Sequence, residues 1–208
     1  MKLKLLWYCT KNKPYLQVNR CVLPTEYDRY ILDKEQRYSA FGEPLEKLNG
    51  KIMAESDFEV EEIANCGTSF MFMKCNDLQE NYMYTSKVAS GSCLNFDALK
   101  RYFGTKNGYA IHIKNLEIFD KPKELNEFYS HDDSYDNMFG CFFEDRPKYI
   151  PLKKAPRNMK YVYNKDGSQR YILISSHPEC MAQILKGFRT IDLRKKILKE
   201  MLWHDCKA

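Results

Sequence analysis

The chain has 208 residues, 44% of them hydrophobic and 14% aromatic, which suffices for one domain with a sizeable core or two small ones and excludes a disordered chain. A formal net charge of +5 and a pI near 8.6 permit binding to nucleic acid without demanding it, since domains built for that purpose often exceed a pI of roughly 9. Residues 3–9 (Leu-Lys-Leu-Leu-Trp-Tyr-Cys) read as a buried strand, with an apolar run too short for a signal peptide or a membrane span. Residues 14–48 mix polar residues, Pro24, Pro44 and many tyrosines without a period, so a long irregular excursion is expected there. Asn49-Gly50 marks a turn into a long strand with one wet face over 51–63, and Ser69–Lys74 reads as a further strand.

Asn95 is placed to cap a helix over Phe96–Phe103, with Gly104 as its stop and Phe96, Leu99 and Phe103 on one face. The clearest strand is 109–119, with His112 inside it as a satisfied core histidine. Asp120–Leu125 reads as the start of a short helix or turn, with Pro122 at an early helical position. Residues 129–158 read as a long irregular loop, either functional or mobile, followed by a short strand at 159–163 and a polar turn at 164–170. A buried strand over 171–177 leads into a helix opened by Pro178, striped by Met181, Ile184 and Leu185, and ended by Gly187. Residues 195–203 are compatible with another helical turn or two. Separated strands with two or three short helices indicate an α+β fold with a curved or closed, mostly antiparallel sheet.

None of the eight cysteines forms a C-x-x-C pair or sits at zinc-ligand spacing, so no metal or cofactor is expected. They read as small core hydrophobes of a reduced, cytoplasmic protein. In Gly187-Phe-Arg-Thr-Ile-Asp-Leu-Arg194, strand alternation would put Thr190, Asp192 and Arg194 on one face, with Arg189 elsewhere unless the segment is irregular. An arginine beside a carboxylate can hold phosphate or read a base edge, or simply order the strand. His177, with Ser175 and Ser176, precedes a helix whose free N–H groups favour anions, although the same residues can serve only as a cap. Lys195, Lys196 and Lys199 either extend a phosphate-binding stripe or form a solvated face.

The Gly187–Arg194 segment resembles the ASCH family of the PUA-like superfamily, which carries Gly-x-Lys-x-x-Glu-x-Arg after a strand and helix. Gly187 and Arg194 match; Arg189 stands at the lysine position and Asp192 at the glutamate position, keeping charge but not geometry. Ile172–Pro178 looks like that family's opening strand. Leu6–Lys11, Asn49–Glu55, Gly108–Leu116, Asp120–Leu125 and Ala155–Val162 look like its later blocks in the phage- and bacteria-type proteins. The order is rotated: the family order runs 171–200 and then 1–163, as in a circular permutation, with residues 199–208 near Met1. Exchange of 171–200 between two copies is the rival, so a monomer or a segment-swapped dimer is expected.

The resemblance implies a single PUA-like domain over 1–208: a mixed, mostly antiparallel β-barrel whose cleft takes RNA or a modified nucleotide. It places Arg189, Thr190, Asp192, Arg194, Lys195, Ser175, His177, Thr10, Lys11 and Tyr8 at or near that cleft, Tyr8 as a base-stacking ring or a core residue, and Glu55 where it can pair with Arg189 or Arg194. Some members hydrolyse acylated cytidines with a lysine at the Arg189 position, a threonine at the Asp192 position and a glutamate near the helix resembling 96–103. Arginine cannot act as a base, and no glutamate occurs from Lys87 to Phe103, so a binding module is favoured over a hydrolase. Asp192, Glu55 and His177 remain acid–base candidates for amidohydrolase or ribonuclease chemistry. A protein-interaction module using 129–154 is the third reading.

Overall fold

The computed structural model describes residues 3–11, 50–65, 71–131 and 149–206. The excursion expected at 14–48 falls outside them, as does most of the 129–154 interaction surface. The strands are β1 (Lys4–Cys9), β2 (Ile52–Asn65), β3 (Phe72–Met73), β4 (Gly108–Lys123), β5 (Tyr129–His131), β6 (Tyr149–Pro151), β7 (Met159–Tyr163), β8 (Arg170–Ser176) and β9 (Ile191–Arg194). They form one sheet in the order β6-β5-β7-β8-β1-β2-β4-β9, with β3 added to β2. Every pairing is antiparallel except β1 with β8, which run parallel from Lys4↔Tyr171 to Cys9↔Ser176. The fold is thus α+β and sheet-dominated, as expected. The sheet is not closed by backbone pairing, since β6 and β9 end it as separate edges.

β1 is the central strand and is buried on both faces. Leu5, Trp7 and Cys9 pack with Ile172, Ile174 and the helix that follows β8, while Leu6 and Tyr8 pack on the other side with Ile52, Phe128, Val162 and Leu173. Both faces are covered, so an all-apolar run replaces the alternation of a half-wet strand. Tyr8 is therefore a core residue, not a stacking platform. The expected strand at 69–74 is the two residues of β3, with 66–70 outside the described range.

Among the described residues, three helices flank the sheet: α1 (Leu78–Ser92), α2 (Phe96–Phe103) and α3 (Pro178–Leu185). α2 matches its expected limits, with Asn95 accepting from the Ala98 N–H and Gly104 ending it, although Phe96 stacks on Tyr82 instead of sharing the buried face of Ala98, Leu99 and Phe103. α3 likewise begins at Pro178 and buries Met181, Ile184 and Leu185. Gly187 follows it at φ +75°, a left-handed conformation that glycine adopts without strain.

α1, the longest of the described helices, has no counterpart in the sequence reading. Its buried stripe is Asn81, Tyr84, Thr85, Val88, Ala89 and Ser92, at helical spacing but largely polar. Those polar groups are used: Asn81 accepts from the Lys74 and Cys75 N–H groups, and Thr85 Oγ1 accepts from the Phe72 N–H.

Three further expectations change. Pro122 lies in β4, where the register with β2 slips between Ile118 and Lys123, so no ladder partner is lost; the helical turn begins later, at Leu125. The ends of the expected 129–158 loop pair as β5 and β6. His112 is half-buried on the wet face of β4 and bonds Glu61 at 3.1 Å, so it is satisfied but not in the core. The tail adopts a 3-10 helix over Lys199–Cys206, and its Met201 shares a buried cluster with Leu3. Cys9, Cys93 and Cys180 are buried free thiols, and burial pushes Cys9 up to about 12. No described helix is long and apolar enough to cross a membrane.

Candidate functional site

β8, α3 and β9 form a continuous strand–helix–strand wall, and the site lies where the two strands approach each other. The approach to β9 is irregular. The Thr190 N–H donates to the Gly91 carbonyl of α1 at 2.8 Å, and the Thr190 carbonyl accepts from the Ile113 N–H at 2.8 Å. Gly91 permits that contact, because a Cβ there would lie 2.7 Å from Ile191 Cδ1. The backbone turn before β9 frees Arg189 from strand alternation and brings it to the same side as Asp192.

Asp192 is the hub. Its Oδ1 accepts from Arg189 Nη2 at 3.0 Å and its Oδ2 from Arg194 Nε at 2.6 Å. Arg189 is 6% exposed and Asp192 2%, so all three charges are largely out of water, where each pairing is worth more than at the surface. Burial pushes the Asp192 carboxyl up, but the opposing pull of Arg194 and Arg189, reinforced by their hydrogen bonds, wins and holds it below the usual carboxylate range. Arg189 Nη1 also donates to Cys180 Sγ at 3.3 Å.

Arg194 then crosses the opening of the sheet. Its Nη1 donates to Asn158 Oδ1 and its Nη2 to the Ser175 carbonyl of β8 at 3.1 Å. β8 and β9 are separated in the sheet by β1, β2 and β4. The sheet therefore curls far enough for a side chain to link β9 to β8 where no backbone pairing does.

A cavity of about 200 Å³ opens beside this network. Its charged lining is Arg157, Arg189, Arg194 and Asp192; its polar lining includes Thr10, Ser175, Ser176, His177 and Tyr102; Leu94, Cys180 and Leu193 complete it. Three guanidiniums face one carboxylate, an excess that favours an anionic ligand. Arg194 spends three of its five N–H donors on Asp192, Asn158 and Ser175, leaving two for a ligand. Burial raises the Tyr102 phenol, so it stays neutral, and its hydroxyl donates to the Leu193 carbonyl at 3.3 Å.

Of the residues expected at a cleft, Arg189, Asp192, Arg194, Ser175, His177 and Thr10 come together here. Ser175 contributes less than expected, because its hydroxyl already donates to the Pro156 carbonyl at 2.6 Å. Thr10 Oγ1 lies 3.5 Å from His177 Nδ1, joining the ends of β1 and β8 at the rim. Lys195 stands outside the cavity with its Nζ 5.0 Å from the centre of the Tyr102 ring. Thr190, Tyr8 and Lys11 are absent from the lining: Thr190 braces β9 through its backbone, Tyr8 is in the core, and Lys11 lies beside Gly50. Glu55 pairs with Lys4, its neighbour across β1 and β2, and with neither arginine.

Of the three acid–base candidates, Asp192 is held ionised between two arginines and Glu55 lies elsewhere. His177 is the one exposed on the cavity rim. Sequence reasoning missed Tyr102, Leu94, Arg157, Asn158 and Cys180. Arg157 and Asn158 lie just before β7, and all five join the site through contacts between distant parts of the chain. No protein-family model matches this sequence, and no curated protein or solved structure matches it.

Proposed function

We propose that the chain is an ASCH-like, PUA-like open barrel whose cleft binds a nucleotide unit of RNA or a modified nucleotide. The observation that carries this reading is the cavity's charge: a buried Arg189–Asp192–Arg194 network with Arg157 at its edge, three cations to one carboxylate. Fixed guanidiniums of this kind suit phosphate, and the neighbouring hydroxyls suit base and sugar edges. The volume, below the roughly 300 Å³ of drug-sized pockets, suits one base or phosphate instead of a large cofactor.

Two features support the permuted ASCH-like order. β8 and β1 lie side by side and parallel, as opening and following strands do when a helical crossover joins them. The Asn164–Gln169 turn closes β7 onto β8 as a tight hairpin, which supports residues 171–200 completing the sheet of their own chain over exchange between two copies. A cytoplasmic, reduced setting is in keeping with the free buried thiols.

The test is binding of uridine monophosphate and of a labelled ten-nucleotide uridine RNA, measured by calorimetry and anisotropy. Arg157→Ala and His177→Ala alter exposed side chains, and Arg189→Ala with Arg194→Ala removes the inner network. Weakened binding in the exposed pair, and its loss in the inner pair with the fold checked by circular dichroism, is expected. Unchanged binding in all four variants would sink the proposal.

A further inference from the structure

Two segments of this chain carry cations without a single acid. Leu152–Asn158 holds Lys153, Lys154 and Arg157, and Arg194–Lys199 holds Arg194, Lys195, Lys196 and Lys199. They are far apart in sequence and clasped together in space: Arg194 Nη1 donates to Asn158 Oδ1, and Asn158 Nδ2 donates to the Lys196 carbonyl at 3.4 Å. The first segment is fixed at both ends, by the Leu152 N–H on the Phe128 carbonyl at 2.8 Å and by Ser175 on the Pro156 carbonyl. It is therefore a built rim of the cleft, not a free loop.

Apart from Arg194, the cations of these rims are exposed, and among the described residues Lys153, Lys154, Arg157, Lys195 and Lys196 form no ion pair with a carboxylate. Elsewhere Lys4, Lys51, Lys74, Lys114 and Arg170 each pair with one, while exposed lysines such as Lys100, Lys106 and Lys160 do not, so what sets the rim cations apart is their grouping beside the cleft. Lys153 lies four residues from Arg157, at most about 14 Å along the chain, and Lys195 and Lys196 directly follow Arg194. Charges held at this spacing, near one Debye length of about 8–10 Å, act together on a polyanion that spans them.

We infer that the ligand is a single-stranded nucleic acid longer than the cleft, with one nucleotide seated beside Arg189 and Arg194 and its neighbouring phosphates held by Lys153 and Lys154 on one side and by Lys195 and Lys196 on the other. This rests on the proposed cleft function and specifies its substrate. A single strand fits because the network at the cavity floor is buried, and a paired base reaches such a floor only by leaving its stack. Tyr102, exposed at the rim beneath Lys195, offers an aromatic surface next to the entry.

The test compares uridine monophosphate, the ten-nucleotide uridine RNA and a ten-base-pair RNA duplex on the full chain, over a range of salt. The strand should bind more tightly than the monophosphate, and its affinity should fall roughly 100-fold between 50 and 200 mM salt if about five phosphates are contacted. The variant K153A/K154A/K195A/K196A should lose at least roughly tenfold in affinity for the strand, and its salt slope should flatten by roughly 0.7 per lost contact. Its affinity for the monophosphate should stay within about twofold. Equal affinity of strand and monophosphate, no effect of the fourfold variant, or tighter binding of the duplex each overturns the inference while leaving the cleft reading intact. If the fourfold variant loses the strand but Arg189→Ala and Arg194→Ala do not, the rims stand and the cleft reading fails. No binding of any probe overturns both.

Discussion

Asp192 in the cleft wall and Glu59 on the outer face of β2 each sit opposite a cation, yet the two regions use charge for different ends. Asp192 is 3% exposed at its side chain and shared by two arginines, one of which links β9 to β8. Glu59 is 59% exposed and faces Lys114, 49% exposed, at 3.2 Å across the β2–β4 ladder. Water screens the second pair and not the first. The cleft charges therefore fix geometry, while the outer charges keep a wet face wet.

The largest effect expected from this contrast is at Asp192. Asp192→Asn keeps the volume and leaves two guanidiniums without a counter-charge in a dry site, so it should cost about 3–5 kcal/mol. Urea unfolding at neutral pH measures it; a loss under about 1 kcal/mol would mean that the network does not hold β9 in place. The same contrast predicts a pH signature. Asp192's carboxyl is held below its ordinary value in the folded chain. Its contribution is thus complete above the unfolded pKa of about 3.9 and is lost as pH falls through the lower folded value. The stability gap between the native chain and Asp192→Asn should stay flat above about pH 5 and narrow steadily below about pH 4. A gap that narrows near neutral pH would contradict the lowered value.

A smaller effect, of opposite sign, is expected within the same wall. Gln183 on α3 is 1% exposed, and neither of its amide atoms has a hydrogen-bond partner among the described residues. A buried, unsatisfied amide is costly, and an unbranched apolar side chain of similar size avoids that cost. Gln183→Met should stabilise the fold by about 1 kcal/mol, seen as a higher urea midpoint at unchanged slope. A destabilised variant would show that the amide is solvated in solution.

These two residues also mark how far the sequence could be read. α2 and α3 were legible because their signals are local: Asn95 and Gly104 bracket one, Pro178 and Gly187 the other, and each carries an apolar stripe. α1 was not, because its buried stripe includes Asn81, Thr85 and Ser92, which look exposed until Phe72 of β3 pairs with Thr85, Lys74 and Cys75 after it pair with Asn81, and the Ala89 carbonyl of the same helix accepts from Ser92. The pairing of Asp192 with Arg194 followed from alternation. The inclusion of Arg189 did not, because it depends on the Thr190–Gly91 bond between segments 99 residues apart. Glu55 failed as a cleft residue for a related reason: the register of β1 on β2 hands it to Lys4. Tyr8 failed because nothing local in a short apolar strand says that both its faces are covered.

The smallest effect belongs to the outer face, and it is the control for the rest. Glu59→Gln removes one charge from a pair whose members both keep about half of their surface in water. The Coulomb gain lost there is nearly matched by the side-chain freedom regained, so the change should stay within about 0.5 kcal/mol. Lys114→Ala should do the same, and the double variant should show a coupling no larger than either, shrinking further at high salt as the pair is screened. Glu61, shared between His112 at 3.1 Å and Lys74 at 3.7 Å, extends the same pattern along the strand. If Glu59→Gln instead costs more than about 1 kcal/mol, exposure is not what separates the two regions. The special standing of the cleft would then rest on Arg194 alone, as the side chain that joins β9 to β8.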